Sequence, residues 1–182
     1  LSYFPGLIRE GYHYVDRTRY IRELEGLGAK YLFLLRPRRF GKSLWVSKLQ
    51  HYYGIEHKAK FGEIFGGTDI GRNPTALANT YLVLRMEFTS IETKTEQTTK
   101  QGFQANVWSA ILDFQATYPH ILTSENMAGF EKAAPPADLI KNFFSTVRAN
   151  APDQRIYLLI DEYDHFANEL VASDLERFKA SV

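Results

Sequence analysis

The sequence predicts an α/β sandwich around a parallel sheet, on three observations. Residues 31–35 (YLFLL) and 156–160 (IYLLI) are continuous apolar runs, the pattern of strands buried on both faces. Across residues 81–88, Leu82, Leu84, Met86 and Phe88 alternate with Arg85 and Glu87, as in a strand with one wetter face near a sheet edge. Helical patterns separate these runs, and strands alternating with helices imply parallel pairing through right-handed crossovers.

The elements follow in order. In "DRTRYIRELEGLG", Asp16 is a candidate N-cap, Tyr20, Ile21, Leu24 and Leu27 share one helical side, and glycines at 26 and 28 stop the pattern. From Lys42, the residues Trp45, Leu49, Tyr52 and Tyr53 recur at helical spacing until Gly54 interrupts. The turn-rich "FGGTDIGRNP" precedes the alternating strand. Beyond that strand, Phe103, Val107, Ile111, Phe114 and Tyr118 form an amphipathic stripe. Pro135 and Pro136 open a second helix carrying Leu139, Phe143 and Val147, and both helices should cover sheet faces. A last amphipathic pattern carries Phe166, Leu170 and Phe178.

Composition bounds the possibilities. With 182 residues, 45% hydrophobic and 24% charged, the chain has material for one sizeable core. Lys and Arg (22) nearly balance Asp and Glu (21), so no global field draws the protein to nucleic acid or an anionic membrane, and any basic site must be local. The absence of cysteine excludes disulfides and thiolate metal sites. The apolar runs are too short to span a bilayer, and an intracellular, cytoplasmic home fits best. The chain begins at Leu1 and stops at Val182 inside a helical pattern, so it reads as a fragment.

In doubly wound sheets, ligands bind beyond the carboxyl ends of the strands. There, "RPRRFGKS" follows the first apolar run and "DEYD" the last, so the two segments should meet in space. The first ends like a phosphate-binding loop. Such a loop curls backbone N–H groups around the β-phosphate at a helix N-terminus, with Lys reaching the β and γ phosphates and a hydroxyl holding Mg²⁺. On this reading Gly41 permits close approach, Lys42 supplies charge and Ser43 is a metal ligand. Arg36 stands where the motif wants its first glycine, and Pro37 lacks an N–H, which thins that edge of the cradle. The bland alternative is a basic turn in which Lys42 and Ser43 merely start a helix. For the second segment, Asp161 would hold Mg²⁺ through its water shell and Glu162 would orient and deprotonate the attacking water. Its bland alternative is a helix N-terminus whose dipole favours Asp161, Glu162 and Asp164. The pairing of a GKS loop with a strand ending in Asp-Glu favours nucleotide chemistry.

The segments "YVDRTRYIREL", "LLRPRRFGKSL", "HYYG" and "LLIDEYD" resemble the bacterial AAA-ATPase-like family, whose members often carry a PD-(D/E)XK-type nuclease domain after the ATPase. RPRRFGKS, with arginine in the first slot, is the most specific part. The resemblance implies a P-loop NTPase three-layer sandwich of the additional-strand, catalytic-glutamate type. It implies that residues 36–43 bind ATP phosphates, that Ser43 and Asp161 bind Mg²⁺ and that Glu162 activates water. The expected nucleotide-binding set is Arg38, Arg39, Phe40, Gly41, Lys42, Ser43 and Leu44, with Lys42 and Glu162 catalytic. Residues 1–30 are expected to pack on the core, and residues 31–182 to form the N-terminal part of the ATPase domain. In the family fold, the strand carrying the loop is flanked by strands that follow the Walker B strand. Here residues 31–35 would then expose their edges and apolar faces.

Two rivals stand beside ATP hydrolysis: a nucleotide-bound switch that hardly turns over, and a nucleic-acid module using Arg36, Arg38 and Arg39 as a phosphate patch. Near-neutral charge and the nearby acids argue against the second. His13, His51, His57, His120 and His165 lack metal-ligand spacing and receive no role. Trp45 and Trp108 read as core. Tyr14 and Val15 read as core contacts in preference to flanks of an adenine ring.

Overall fold

The computed structural model describes residues 2–35, 37, 39–88, 91 and 95–163. They fall into two compact units, one running to Val83 and including Arg155–Tyr157, the other comprising Leu84–Gln154 and the described residues from 158 onward. The stripe through Phe166, Leu170 and Phe178 lies outside the described residues.

The first unit holds five helices, α1 (Phe4–Arg9), α2 (Tyr20–Gly26), α3 (Lys42–Tyr53), α4 (Phe61–Phe65) and α5 (Asp69–Arg72), with a 3₁₀ segment at Ile55–Lys60 before α4. The α3 helix has the bounds its periodicity predicts, and Gly54 ends it in an extended conformation. Its inner face buries Val46, Leu49, Tyr52 and Tyr53. The α1 helix docks on it through Phe4, whose ring meets Phe65 at 5.3 Å and Tyr14 at 5.4 Å and whose backbone N–H donates to Ser47 Oγ at 3.0 Å. From α2, Glu25 accepts hydrogen bonds from the hydroxyls of Tyr53 and Thr75, both at 2.9 Å.

Asp16 does not cap α2, which starts after Arg19. Its carboxylate instead accepts the backbone N–H groups of Thr18 at 2.8 Å and Asp69 at 2.6 Å, so one side chain closes a local turn and ties it to the start of α5. Burial opposes the Asp16 charge, but these N–H groups, the Thr18 hydroxyl and the Lys48 cation outweigh it and hold the carboxyl below its ordinary value. Only Ile21 of the predicted α2 stripe is buried.

The second unit is built on α6 (Glu96–Thr117), α7 (Ser124–Ala128) and α8 (Pro136–Asn150). A capping box at Thr95 starts α6, another at Thr123 starts α7, and Pro136 lies in the first turn of α8. Val107, Ile111 and Phe114 on α6, Tyr118 at its C-cap, and Leu139, Phe143 and Val147 on α8 are buried, as their spacing predicts, while Phe103 of the same stripe is half-buried. Phe114 and Phe143 meet edge to face at 4.8 Å. Each such side chain contributes roughly 1.5–3 kcal/mol of burial.

Two parallel strands, β1 (Tyr81–Glu87) and β2 (Arg155–Asp161), form the sheet among the described residues. Leu82, Leu84 and Met86 of β1 are buried and Glu87 is exposed as the alternation predicts, whereas on the same face as Glu87 the Arg85 side chain is half-buried and Val83 is buried. Two expectations need correction. Residues 156–160 form a strand, but not one buried on both faces: Leu159 is buried while Leu158 and Ile160 are exposed. Residues 31–35 lie outside the sheet, with Tyr31, Phe33 and Leu35 exposed at 85%, 78% and 79%, which overturns the buried strand and agrees with the exposure expected of this run from the family fold. An apolar run becomes a buried strand only when neighbouring strands take its N–H and C=O groups and other layers cover its faces.

Candidate functional site

The basic loop enters α3 through a tight reversal. Phe40 N–H donates to the Pro37 carbonyl at 3.3 Å, and both Arg39 (φ 65°) and Gly41 (φ 77°) occupy the left-handed region. At Gly41 the need for glycine is conformational rather than steric, because a Cβ there would meet nothing within 4 Å. Gly41 is also the N-cap of α3 and has no side chain to accept the first N–H groups of the helix. Lys42, Ser43 and Leu44 therefore occupy the first turn, at the positive end of a 12-residue helix, with Phe40 and Arg39 exposed just ahead of them. Arg36 and Arg38 lie outside the described residues.

One turn further along α3, Lys48 is buried although charged. Its ammonium donates to the Tyr14 hydroxyl at 3.0 Å and lies 4.8 Å from the Trp45 ring centre and 5.1 Å from that of Tyr14. Aromatic faces and a phenol oxygen replace its water. Burial pushes the Tyr14 phenol up, with the Asp16 charge adding to it and a backbone contact to Arg17 opposing. Tyr14 is thus a packing and hydrogen-bonding partner of α3, whereas Val15 is exposed. Lys48 follows Trp45 by three residues and precedes Tyr52 by four, so its place on the apolar stripe was readable from spacing. His51 is also buried there, stacked on His57 at 4.2 Å, with Nδ1 2.7 Å from the Ser47 carbonyl.

The acidic pair sits at the end of β2, in the second unit. Asp161 is buried, and its carbonyl accepts the Phe88 N–H at 3.1 Å, so backbone pairing fixes its position. Its Oδ1 accepts the Glu162 N–H at 3.1 Å, and Arg85 Nη2 donates to its Oδ2 at 3.3 Å. Glu162 takes φ 57°, turning the chain out of the strand immediately after Asp161. Arg85 was not singled out as a site residue, although its alternation with Met86 on β1 placed it on the polar face together with Glu87.

The loop residues 39–44 are thus gathered at the start of α3, and Asp161 and Glu162 at the end of β2. Among the described residues, no three His, Cys, Asp or Glu side chains gather as a metal site, and no helix is long and apolar enough to cross a membrane.

Comparison with known proteins bears on this arrangement. A 48-residue stretch is 50% identical to an uncharacterized protein encoded in the vnfD 5' region of Azotobacter chroococcum mcd 1, covering 25% of this chain and 9% of that protein's length. No solved structure matches. The family model described as predicted AAA-ATPase matches residues 1–181, which points to nucleotide binding on a mixed helix and sheet fold. The chain belongs to this AAA-ATPase-like family.

Proposed function

We propose that the chain binds ATP at the start of α3 and hydrolyses it with magnesium, using residues 36–43 as a variant Walker A loop and Asp161 with Glu162 as the Walker B pair. The observation that carries the reading is the left-handed Gly41, which launches α3 with Lys42 and Ser43 in its first turn. Backbone N–H groups from Arg38 to Ser43 would cradle phosphate oxygens, and Lys42 would neutralise charge on the β and γ phosphates. The Ser43 hydroxyl and the Asp161 carboxylate are hard oxygen donors that suit magnesium, and Oδ2 of Asp161 already holds a cationic partner in Arg85. Bound magnesium would supply further neutralisation of the phosphate oxygens.

Glu162 would orient water in line with the γ-phosphorus and accept its proton as the bond to the β–γ bridging oxygen breaks, giving ADP and phosphate. In this reading the cycle runs in the cytoplasm and moves an attached module. Members of the family often carry a PD-(D/E)XK-type nuclease domain after the ATPase, and a fused or associated domain of that type would be the route by which nucleic acid is engaged.

The test is equilibrium titration with a fluorescent ATP analogue. Lys42→Ala should abolish binding and leave the fold unchanged by circular dichroism, because the side chain sits in the first turn after the loop rather than in the core. Wild-type affinity in the variant would remove the phosphate-loop reading.

A further inference from the structure

We infer that Arg85 is a built-in counter-cation for Asp161, pairing with that carboxylate and yielding it to magnesium by turning toward Glu87. The inference rests on the proposed role of Asp161 as a magnesium ligand. One nitrogen, Nη2 of Arg85, lies 3.3 Å from Asp161 Oδ2 and 3.3 Å from Glu87 Oε2. Both distances are long for a charge-assisted hydrogen bond, whose usual range is about 2.7–2.9 Å. The guanidinium thus stands between two carboxylates, and a small swing shortens one contact at the expense of the other.

The two acceptors differ in what they need. The Asp161 side chain is 3% exposed and the Glu87 side chain 50% exposed. A buried carboxylate left without a cation is costly, whereas water solvates Glu87 in either arrangement. Asp161 is held at its carbonyl by the Phe88 N–H and at Oδ1 by the Glu162 N–H, so the long Arg85 side chain is the part able to move. Arg85 and Glu87 lie two residues apart on β1 and share a face, which keeps the alternative acceptor in reach. A guanidinium and a divalent cation beside one carboxylate repel each other, so the ease with which Arg85 leaves should set the magnesium requirement.

Opposite signs follow for two substitutions. Arg85→Met removes the competitor and should lower the magnesium concentration at half-maximal ATP-analogue binding by about threefold or more. Glu87→Gln removes the competing negative charge and leaves only a neutral amide oxygen to accept, which strengthens the hold on Asp161 and should raise that midpoint by about two- to fivefold. Both are read from equilibrium fluorescence of the bound analogue as magnesium is titrated, with EDTA samples giving the metal-free affinity, which should stay at its wild-type value.

If wild type binds with a magnesium midpoint that Asp161→Ala shifts, while Arg85→Met and Glu87→Gln leave it unmoved, the inference is overturned and the magnesium reading stands. A raised midpoint in Arg85→Met also overturns it, since Arg85 would then be orienting Asp161 for the metal. If neither wild type nor Asp161→Ala responds to magnesium, both the reading and the inference fall. Should Arg85→Met fail to fold, Glu87→Gln decides alone, because its side chain is half exposed: a higher midpoint supports the inference, and an unchanged or lower one overturns it.

Discussion

Residues 31–35 and 156–160 are nearly the same text, five apolar residues followed by a charged segment, yet they have different fates. The second run is a strand paired with β1, and the first lies outside the sheet with three of its side chains largely exposed. An apolar run specifies a demand for burial; the neighbours that meet it come from elsewhere in the chain. The two runs agree in the turns that come after them. Each leads into a non-glycine residue in the left-handed region, Arg39 after the first and Glu162 after the second. Such residues are uncommon and concentrate at functional turns.

The largest expected effect breaks the symmetry between these two turns. If the loop after the first run binds phosphate and the turn after the second does chemistry, Glu162→Gln keeps shape and hydrogen-bonding capacity while losing the base. Phosphate release should fall by about 10² to 10⁴ with ATP affinity nearly unchanged. Hydrolysis at the wild-type rate would show that Glu162 is not the base. A wild type that binds ATP but never releases phosphate would instead make the chain a nucleotide-bound switch.

Stability measurements sharpen the comparison of the runs themselves. Leu159→Ala empties a buried position on β2 and should cost about 2–5 kcal/mol in urea unfolding. Phe33→Ser alters a largely exposed side chain and should change stability by no more than about 0.5 kcal/mol. Comparable losses at the two positions would mean that residues 31–35 are buried in solution.

Legibility in the sequence divides along the same line. Helical period, Gly54 as a stop and Pro136 as a start are local signals, and α3, α6 and α8 lie where they predict. Gly41 before Lys42 was readable as a helix launch for the same reason. Burial on both faces of 31–35 and 156–160 was a non-local claim, since it depends on which strands and layers lie alongside. Asp16 misled because a short acidic side chain caps turns as readily as helices, and the N–H it found belongs to Asp69, far along the chain. Arg85 was legible as the polar face of β1 but not as a partner of Asp161, because strand pairing decides which residue of β2 it reaches.

A smaller effect distinguishes the start of β2. Burial, reinforced by Tyr81 and Glu25, pushes the Tyr157 phenol up to about 12 from its ordinary 10.0. Burial likewise raises Tyr53, which stacks on Tyr157 at 4.5 Å. Both values rise on folding, so the stabilisation from keeping these phenols neutral is fully present below pH 10 and is lost as pH climbs toward 12. Urea midpoints should hold up to about pH 10 and then fall, with part of the tyrosinate absorbance appearing only as the protein unfolds. Ionisation of all 11 tyrosines near pH 10 without loss of stability would contradict this packing.

The smallest effect belongs to Arg39, the left-handed residue after the first run. Replacing it with glycine relieves roughly 1–2 kcal/mol of backbone strain. Glycine also frees the unfolded chain, which costs about 0.4–1 kcal/mol. The difference is a net stabilisation of no more than about 1.6 kcal/mol, and the two terms come close to cancelling at their near limits. Arg39→Asn separates strain from charge, because asparagine tolerates the left-handed region and lacks the guanidinium. Arg39 is exposed and precedes the first turn of α3, so either substitution should weaken ATP-analogue binding less than Lys42→Ala does. Loss equal to that of Lys42→Ala in both variants would make the Arg39 side chain a direct phosphate contact. Loss in Arg39→Gly alone would assign the effect to the turn, with the left-handed geometry before Gly41 holding the loop in shape.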